Sequence, residues 1–200
     1  MTTRFLLVRH ATCAQTDCIL LGRSLDPPLD ARGRSQARAL ARQLRGENPA
    51  RIESSPRKRT RQTAHTIAAS MHREVRIEPE LDELDFGEWS GRNFDDLERD
   101  PDWRLWNRER GSAQTPAGVT IAGVQVMLAN HLAKLAQAHP DNSVLLVTHA
   151  EVIRALLMHA LRAPVDHWAL YQVPPASVTR ITFKDGVLIA ASAPREAVAA

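Results

Sequence analysis

The sequence predicts an α/β protein, a three-layer α/β/α domain in which helices cover both faces of a mainly parallel central sheet. Three observations lead to this prediction. Two four-residue apolar runs, residues 5–8 and 144–147, are typical of strands buried on both faces. Segments with helical periodicity follow both runs. An alternating segment with a tight turn near the end of the chain predicts an antiparallel edge hairpin.

The first third of the chain alternates between strand and helix patterns. Residues 5–8 form the first strand, and the polar, turn-rich residues 11–32 form a loop. A helix is predicted over residues 33–45, with these apolar side chains on one face: Ala37, Leu40, Ala41 and Leu44. A short strand around Ile52 comes next. Ser54-Ser55-Pro56 then indicates a helix start, because proline is tolerated in the first turn. The apolar side of that helix comprises Thr60, Ala64, Ile67, Ala68 and Met71.

The middle of the chain is acidic and aromatic and contains many turn formers. Short helices are predicted near residues 93–99 and 102–110, and we expect the segment of about residues 86–118 to form a small helical cap. A long helix begins at Thr120 and ends near Pro140, because these apolar residues share one face: Ile121, Val124, Leu128, Leu132 and Leu135.

The last quarter of the chain predicts one more strand and helix, then the hairpin. The strand at residues 144–147 leads into a helix over residues 150–161. Residues 178–183 alternate in polarity, and Asp185-Gly186 is a strong two-residue turn into residues 187–189. Because no linker interrupts these elements, we expect residues 1–200 to form a single domain.

Composition limits the class of protein. The chain has 200 residues, 44% of them hydrophobic, which suits one globular domain with a substantial core. Neither a membrane-length apolar run nor a signal-peptide pattern is present, so no membrane partner is expected. The two cysteines, Cys13 and Cys18, provide neither a disulfide framework nor a metal knuckle. A cytoplasmic protein is therefore predicted, and an inert Cys13 thiol is favoured over a redox-sensitive one.

The net charge of +3 is unevenly distributed. Residues 1–65 hold 13 Lys and Arg against 5 Asp and Glu, whereas residues 66–120 hold 7 against 13. A basic chain invites a nucleic-acid hypothesis, but the acidic segment offsets the basic one. No recognition motif or array of stacking aromatics accompanies the charge. Nucleic acid is therefore not predicted as a partner.

The two apolar strands end in the same way. Residues 6–11 read Leu-Leu-Val-Arg-His-Ala, and residues 145–150 read Leu-Leu-Val-Thr-His-Ala. Ligands of open α/β sheets bind outside the carboxyl ends of strands, so His10 and His149 would converge there if their strands are neighbours. One histidine at a strand end is most simply a local hydrogen-bonding group. The pair, with Arg9 beside it, favours a functional site.

Charged side chains of both signs are candidates for that site. The basic residues 57–61 open a helix, where the helix terminus and arginine both favour anions, although only one or two can point into a pocket. In the acidic segment, a carboxylate near a cationic pocket could donate a proton if its pKa is tuned. The candidates are Glu80, Asp82, Glu83, Asp85 and Glu88.

In these residues the chain resembles the histidine phosphatase superfamily, also called phosphoglycerate mutase-like. The resemblance covers most of the chain in five blocks that keep the family's order, and together they are highly specific. The blocks are Leu7-Val8-Arg9-His10-Ala11; Gly22-Arg23 with Asp26, Pro28-Leu29, Gly33 and Gln36-Ala37; Ser54-Ser55-Pro56 through Arg59 and Gln62-Thr63-Ala64; Leu81-Asp82-Glu83 with residues 86–91; and Val147-Thr148-His149-Ala150 with Val152-Ile153-Arg154.

The resemblance implies a metal-independent phosphomonoesterase of the histidine acid phosphatase type that needs no cofactor. His10 would attack phosphorus and form a phosphohistidine, with its other ring nitrogen held by a backbone carbonyl. Arg9, Arg59 and a charged His149 would hold the phosphoryl oxygens. Glu83 would protonate the leaving alkoxide and then take a proton from the attacking water.

The chain departs from the family pattern in several places. Alanine replaces glycine after both histidines, at Ala11 and Ala150, so we expect an ordinary negative φ there. Cys13 replaces a usual threonine, and Thr16 lies where many relatives carry a phosphate-binding asparagine. Residues 118–120 replace the frequent Gly-Glu-Ser before the long helix.

Three other functions are open to the same residues. His10, His149 and Glu83 could form a zinc site, but Arg9 and Arg59 would repel a dication. A non-catalytic module is disfavoured because every matched catalytic position is filled. A cofactor-dependent phosphoglycerate mutase is the main alternative, and the short spacing between the glutamate and the second histidine favours a phosphatase.

The substrate is predicted only as a small phosphate ester. Gly22 and Arg23 join the expected substrate-binding residues. Of the clustered aromatics, Phe86 and Trp89 are expected to anchor the core, and Trp103 and Trp106 are candidates for a substrate-contacting cap. Sugar phosphates, phosphoglycerates, nucleotides and α-ribazole phosphate all remain open, as does the oligomeric state, with a homodimer as one option.

Overall fold

A six-stranded sheet lies at the centre of the protein. The computed structural model describes residues 2–15 and 18–190. Its strands are β1 (Thr2–Arg9), β2 (Arg51–Ser54), β3 (Arg76–Ile77), β4 (Ser143–Thr148), β5 (Val178–Lys184) and β6 (Val187–Ala190). The spatial order is β3-β2-β4-β1-β5-β6. The first four strands in this order are parallel, and β5 and β6 add antiparallel pairs. The predicted mainly parallel sheet with an antiparallel edge hairpin is confirmed.

The described residues form six α-helices around the sheet and in the cap. They are α1 (Ala31–Leu44), α2 (Lys58–Ala69), α3 (Phe94–Leu97), α4 (Pro101–Arg108), α5 (Ile121–Ala138) and α6 (Ala150–Leu161). Short 3-10 turns occupy Pro79–Leu81, Gly87–Trp89 and Val165–Leu170. Among residues 2–15 and 18–190, no helix combines the length and apolar character needed to cross a bilayer.

Alternate residues of β1 supply the two faces of the sheet. Leu6 and Val8 pack in a cluster with the apolar sides of α1 and α2. Phe5 and Leu7 point the other way, into the larger cluster that includes α5 and α6. Because both faces are covered, the strand reads as a continuous apolar run rather than an alternating one. Burying each of these side chains stabilises the fold by about 1.5–3 kcal/mol.

The first helix is fixed closely against the loop that follows β1. Asp30 caps α1, its carboxylate accepting a hydrogen bond from Gly33 N at 2.6 Å. Gly33 is buried, and a Cβ at this position would lie 1.8 Å from the carbonyl oxygen of Thr12. The absence of a side chain at Gly33 therefore lets α1 approach the residues that follow His10.

The second helix begins later than the sequence predicted. It starts at Lys58 after an Arg57 N-cap that makes no side-chain capping bond, so Pro56 lies before the helix rather than in its first turn. Ser54 is the last residue of β2, and the Ser55 hydroxyl is used in a contact with His149. Ser54 and Ser55 therefore do not cap α2, and Ser55 makes a tertiary contact instead.

The cap segment is part of the main core. Phe86, Trp89, Trp103 and Trp106 are all buried and belong to the same apolar cluster as α5 and α6. Trp89 and Trp103 meet edge to face with ring centroids 5.3 Å apart. The cap is thus anchored by aromatic packing over one end of the sheet.

Candidate active site

The pairing of β1 with β4 brings the two matching strand ends together. The strands are parallel and adjacent, with Arg9 opposite Thr148. The backbone N–H of His10 donates to Thr148 O at 3.0 Å. The rings of His10 and His149 lie with centroids 5.4 Å apart. The predicted convergence of the two histidines is confirmed.

His10 is held as a neutral imidazole with a defined tautomer. Its Nδ1 lies 2.8 Å from the carbonyl oxygen of Ala11, which can only accept, so Nδ1 carries the proton and Nε2 has a free lone pair. The predicted backbone-carbonyl contact is confirmed. Burial, together with the positive charges of Arg59 and Arg9, lowers the pKa of His10 to about 3.

The residues after His10 are braced by side chains from two helices. Ala11 N donates to Thr63 Oγ1 of α2 at 3.1 Å, and Thr12 N donates to Gln36 Oε1 of α1 at 2.9 Å. Neither Ala11 nor Ala150 is among the described residues with positive φ, which confirms the expected ordinary backbone at both alanines. Thr16, another departure near this loop, lies outside the described residues.

Arg59 projects from the first turn of α2 into the same region. Its Nη2 donates to Gly22 O at 3.0 Å and lies 3.2 Å from His149 Nδ1, and its Nη1 donates to Leu25 O at 3.2 Å. The side chain is almost completely buried. Backbone carbonyls of the 22–25 segment therefore hold the guanidinium next to both histidines.

Of the other predicted substrate-binding residues, Arg9 and Gly22 line the cavity and Arg23 does not. Arg9 lines the cavity described below, and its Nη1 donates to Val173 O at 2.6 Å. Gly22 also lines the cavity and presents its carbonyl to Arg59. Arg23 is not among the cavity-lining residues. Its Nε instead donates to the backbone carbonyl of Glu83 at 2.6 Å.

His149 is completely buried behind Arg59. Its Nε2 lies 2.8 Å from Ser55 Oγ, and its Nδ1 lies 3.6 Å from Glu83 Oε2. Burial lowers the pKa of His149 well below its ordinary value, and the neighbouring cation of Arg59 lowers it further. The prediction of a charged His149 is therefore wrong for the protein without a bound ester, because an imidazolium here would be desolvated beside a guanidinium.

Glu83 is an acidic residue of the cavity wall with a raised pKa. Burial raises the pKa of Glu83 to about 7, although the positive charge of Arg59 opposes the shift, and the negative charge of Glu151 adds to it. Its Oε1 accepts from Leu84 N at 3.0 Å. A carboxyl group with this pKa can either give or take a proton near neutral pH.

A cavity of about 480 Å³ collects these groups at the carboxyl end of the parallel strands. Arg9, His10, Arg59 and Glu83 line one end. The rest of the wall comes from the loop after β1, the cap, the start of α6 and the 165–170 turn: Ile19, Leu20, Leu21, Gly22, Phe86, Phe94, Glu98, Trp103, Asn107, Arg110, Ala150, Glu151, Arg154 and Trp168. Its size suits a small organic molecule.

Comparison with known proteins agrees with this arrangement. The sequence matches the histidine phosphatase superfamily (branch 1) over residues 5–192. The chain belongs to this superfamily. As the sequence predicted, it is a phosphoric monoester hydrolase, and its fold is the α/β fold of the solved histidine phosphatases.

Individual relatives cover most of the chain. Phosphoserine phosphatase 1 of Hydrogenobacter thermophilus is 34% identical over 155 residues, which cover 76% of this chain and 74% of the relative. Glucosyl-3-phosphoglycerate phosphatase of Mycobacterium tuberculosis is 31% identical and covers 90% and 85%. The structure of phosphoserine phosphatase from Entamoeba histolytica in complex with 3-phosphoglyceric acid has a TM-score of 0.87 and 25% identity, and covers 96% of both chains.

Sequence reasoning missed a charged cluster in this histidine phosphatase, at the end of the cavity lined by the cap. Both Arg110 and Arg154 pair with the carboxylate of Glu151. The Arg110 guanidinium lies 3.9 Å from the ring centroid of Trp168, a stacking distance. In the sequence, Arg154 stands out only as part of the block that resembles the family around His149. Arg110 and Trp168 carried no local signal, because they are far apart in the sequence and meet only in the folded chain.

The cap tryptophans also differ in position. Trp103 lines the cavity, as a substrate-contacting residue should, and its Nε1 donates to Glu98 Oε1 at 3.2 Å. Trp106 does not line the cavity, and its ring packs against Trp89 and Arg110 instead. Of the two candidates, only Trp103 is placed to touch a ligand in this histidine phosphatase.

The interpretation of His10, His149 and Glu83 as a zinc site finds no support in the geometry. In the described part of the chain, the group of three side chains close enough to share a metal ion is Glu53, Glu78 and His131. It lies outside the cavity described above and excludes both strand-end histidines. His131 is already hydrogen-bonded, with Nε2 2.9 Å from Glu53 Oε2.

Proposed function

We propose that this phosphatase hydrolyses small phosphate monoesters through a phosphohistidine on His10, without a metal ion or cofactor. The observation that carries the proposal is the state of His10. Its Nδ1 proton is committed to the Ala11 carbonyl, its Nε2 lone pair is free, and it lines the same cavity as Arg59 and Glu83. A neutral imidazole held in this way is a nucleophile at neutral pH.

In the first step, His10 Nε2 attacks phosphorus as the bond between phosphorus and the ester oxygen breaks. Glu83, protonated, gives its proton to the departing alkoxide, which leaves as an alcohol. Arg9 and Arg59 neutralise the charge on the non-bridging oxygens. We assign His149 to the same oxygens through Arg59, which it contacts directly.

In the second step, water attacks the phosphohistidine. The carboxylate of Glu83 takes a proton from that water, the bond between phosphorus and Nε2 breaks, and inorganic phosphate leaves. Because the pKa of Glu83 lies near 7, both of its protonation states are accessible during one turnover.

Trapping the intermediate tests this proposal. Acid-labile, base-stable phosphoprotein should form with a labelled phosphate ester and disappear in His10→Ala. His65→Ala removes an exposed histidine and is the matched control, which should retain the intermediate. Full phosphatase activity in His10→Ala would refute the nucleophile assignment. Loss of activity on adding EDTA would refute the metal-free mechanism.

A substrate panel distinguishes hydrolysis from mutase chemistry. Phosphoserine, 3-phosphoglycerate and glucosyl-3-phosphoglycerate are the first candidates, because relatives of this chain are named for them or bind them. Sugar phosphates, nucleotides and α-ribazole phosphate complete the panel. Each is assayed with and without an acceptor monophosphate. We expect release of inorganic phosphate in both conditions, whereas transfer to the acceptor would favour the mutase.

A further inference from the structure

His149 lies between two carboxylate residues that are consecutive in the sequence. On one side of the ring, Nδ1 is 3.2 Å from Arg59 Nη2 and 3.6 Å from Glu83 Oε2. On the other side, Nε2 is 2.8 Å from Ser55 Oγ, and Asp82 Oδ1 lies 3.8 Å from the same nitrogen. Each ring nitrogen therefore faces a different set of partners.

These partners determine the tautomer of His149. The Glu83 oxygen at 3.6 Å lies beyond hydrogen-bond distance, which leaves the Arg59 guanidinium at 3.2 Å as the partner of Nδ1. A guanidinium can only donate hydrogen bonds, so Nδ1 must accept and carries no proton. Burial and the nearby cations keep the ring neutral, so its single proton lies on Nε2. Nε2 then donates to Ser55 Oγ. The opposite tautomer would direct an N–H at the Arg59 N–H groups.

The Ser55 hydroxyl connects the His149 ring to the Asp82 carboxylate through a second hydrogen bond. Having accepted from His149, Ser55 has its own proton to donate, and Asp82 Oδ1 lies 3.3 Å from Ser55 Oγ. The Asp82 carboxylate is held by Arg57, whose Nε and Nη2 lie 2.8 and 2.5 Å from its oxygens. Burial favours a higher pKa for Asp82, but the hydrogen bonds from Arg57 and from the Glu83 N–H, together with the positive charges of Arg57 and Arg23, outweigh it and lower that pKa, so the acceptor stays ionised.

We propose that Asp82 is a positioning residue that acts through Ser55 to hold His149 in its Nε2–H tautomer, so that Nδ1 fixes the Arg59 guanidinium. The series Asp82–Ser55–His149–Arg59 connects a carboxylate outside the cavity to a cation that lines it. The role of Arg59 in turnover rests on the proposed function, whereas the tautomer does not.

Nitrogen-15 NMR of histidine-labelled protein at neutral pH tests the tautomer directly. The His149 signals, assigned by their loss in His149→Gln, should show a proton on Nε2 and none on Nδ1. In Ser55→Ala and Asp82→Ala the population should shift toward the Nδ1–H form. A wild-type ring protonated on Nδ1 would overturn the proposal, whatever the enzyme's activity.

Kinetics test the coupling. Ser55→Ala and Asp82→Ala should each lower kcat/KM by about tenfold. The double variant should lose no more kcat/KM than the more impaired of the two single variants, because both changes interrupt one series of hydrogen bonds. Asp82→Asn keeps an acceptor oxygen but loses the charge that pairs with Arg57. It should recover most of the loss and restore the Nε2–H signal.

A matched control separates positioning from loss of stability. Glu53 of strand β2 is another buried carboxylate, and it is hydrogen-bonded to a histidine, His131. Glu53→Gln neutralises this carboxylate without changing the series of hydrogen bonds from Asp82 to Arg59. It should leave kcat/KM unchanged. Additive losses in the double variant, or an Asp82→Asn as impaired as Asp82→Ala, would overturn the proposal. If the wild type hydrolysed no phosphate ester, the proposed function would fail while the NMR measurement would still decide the tautomer.

Discussion

His10 and Glu83 line the same cavity, yet burial moves their pKa values in opposite directions. Burial disfavours whichever form is charged, so it lowers the pKa of the imidazole and raises that of the carboxyl group. At neutral pH the His10 imidazole is therefore neutral with a free Nε2 lone pair, as the proposed nucleophile requires, and Glu83 can still carry a proton. The alanines after both histidines do not disturb this arrangement, because their backbone conformations are ordinary.

The pKa of Glu83 predicts how activity depends on pH. The general acid must be protonated in the first step, so kcat/KM for an alkyl phosphate should fall as pH rises through about 7. Glu83→Gln should abolish this limb and lower kcat/KM for the alkyl ester by roughly 10²–10⁴-fold. With p-nitrophenyl phosphate, whose leaving group needs no proton, the loss should be smaller.

The control for this measurement is Glu88→Gln, an exposed carboxylate in the same acidic segment. Its pH profile should match that of the wild type. Equal losses of kcat/KM for alkyl and aryl esters in Glu83→Gln would argue against general acid catalysis by this residue.

At the scale of elements, the site depends on how closely α1 and α2 approach the loop after β1. Thr63 of α2 and Gln36 of α1 each accept a backbone N–H from this loop. The late start of α2 serves the same purpose, since it frees Ser55 to contact His149 and still places Arg59 in the first turn. The helices therefore position the loop that follows His10 as well as cover the sheet.

Gly33→Ala tests the close approach of α1. The added Cβ would lie 1.8 Å from Thr12 O, and the next nearest atoms, Thr12 C and Thr12 N, are also backbone, which leaves little room to adjust. We expect a loss of about 2–4 kcal/mol in the free energy of unfolding, measured by denaturant titration, with reduced kcat because the loop after His10 must move. Gly46→Ala, which meets no atom within 4 Å, should change stability by less than about 0.5 kcal/mol.

At the scale of the whole molecule, the uneven charge of the chain is partly explained. The basic first third supplies Arg9 and Arg59, and the acidic middle supplies Glu83, so one cavity brings together residues from segments of opposite charge. The site is therefore predisposed to bind a small anion. Most of the remaining arginines lie on the surface with no assigned role.

Binding of the product should stabilise the fold. Inorganic phosphate at about 100 times its Kd should raise the free energy of unfolding by about 2.7 kcal/mol, seen as a higher Tm, relative to chloride at equal ionic strength. Arg59→Gln should lose most of this increase, whereas Arg61→Gln, an exposed position on the same helix, should retain it. An equal increase in both variants would show that phosphate acts elsewhere.

The sequence alone determined the features that local periodicity and strand-end chemistry encode. The buried strands, the one-sided apolar helices and the Asp185-Gly186 hairpin were readable because side-chain burial repeats with the geometry of each element. The convergence of His10 and His149 was readable because parallel neighbouring strands end at the same edge of a sheet.

Only the tertiary structure decided the features that depend on contacts between distant residues. The two-residue strand β3 is too short to leave a pattern, and the start of α2 follows contacts to β2 rather than its own serines. The neutral state of His149 reflects burial beside Arg59, which no local motif encodes. The contact between Arg110 and Trp168 in the cavity wall is likewise encoded by no local motif, because the two residues are far apart in the sequence. Sequence patterns report on neighbours along the chain, whereas charge state and cavity shape depend on neighbours in space.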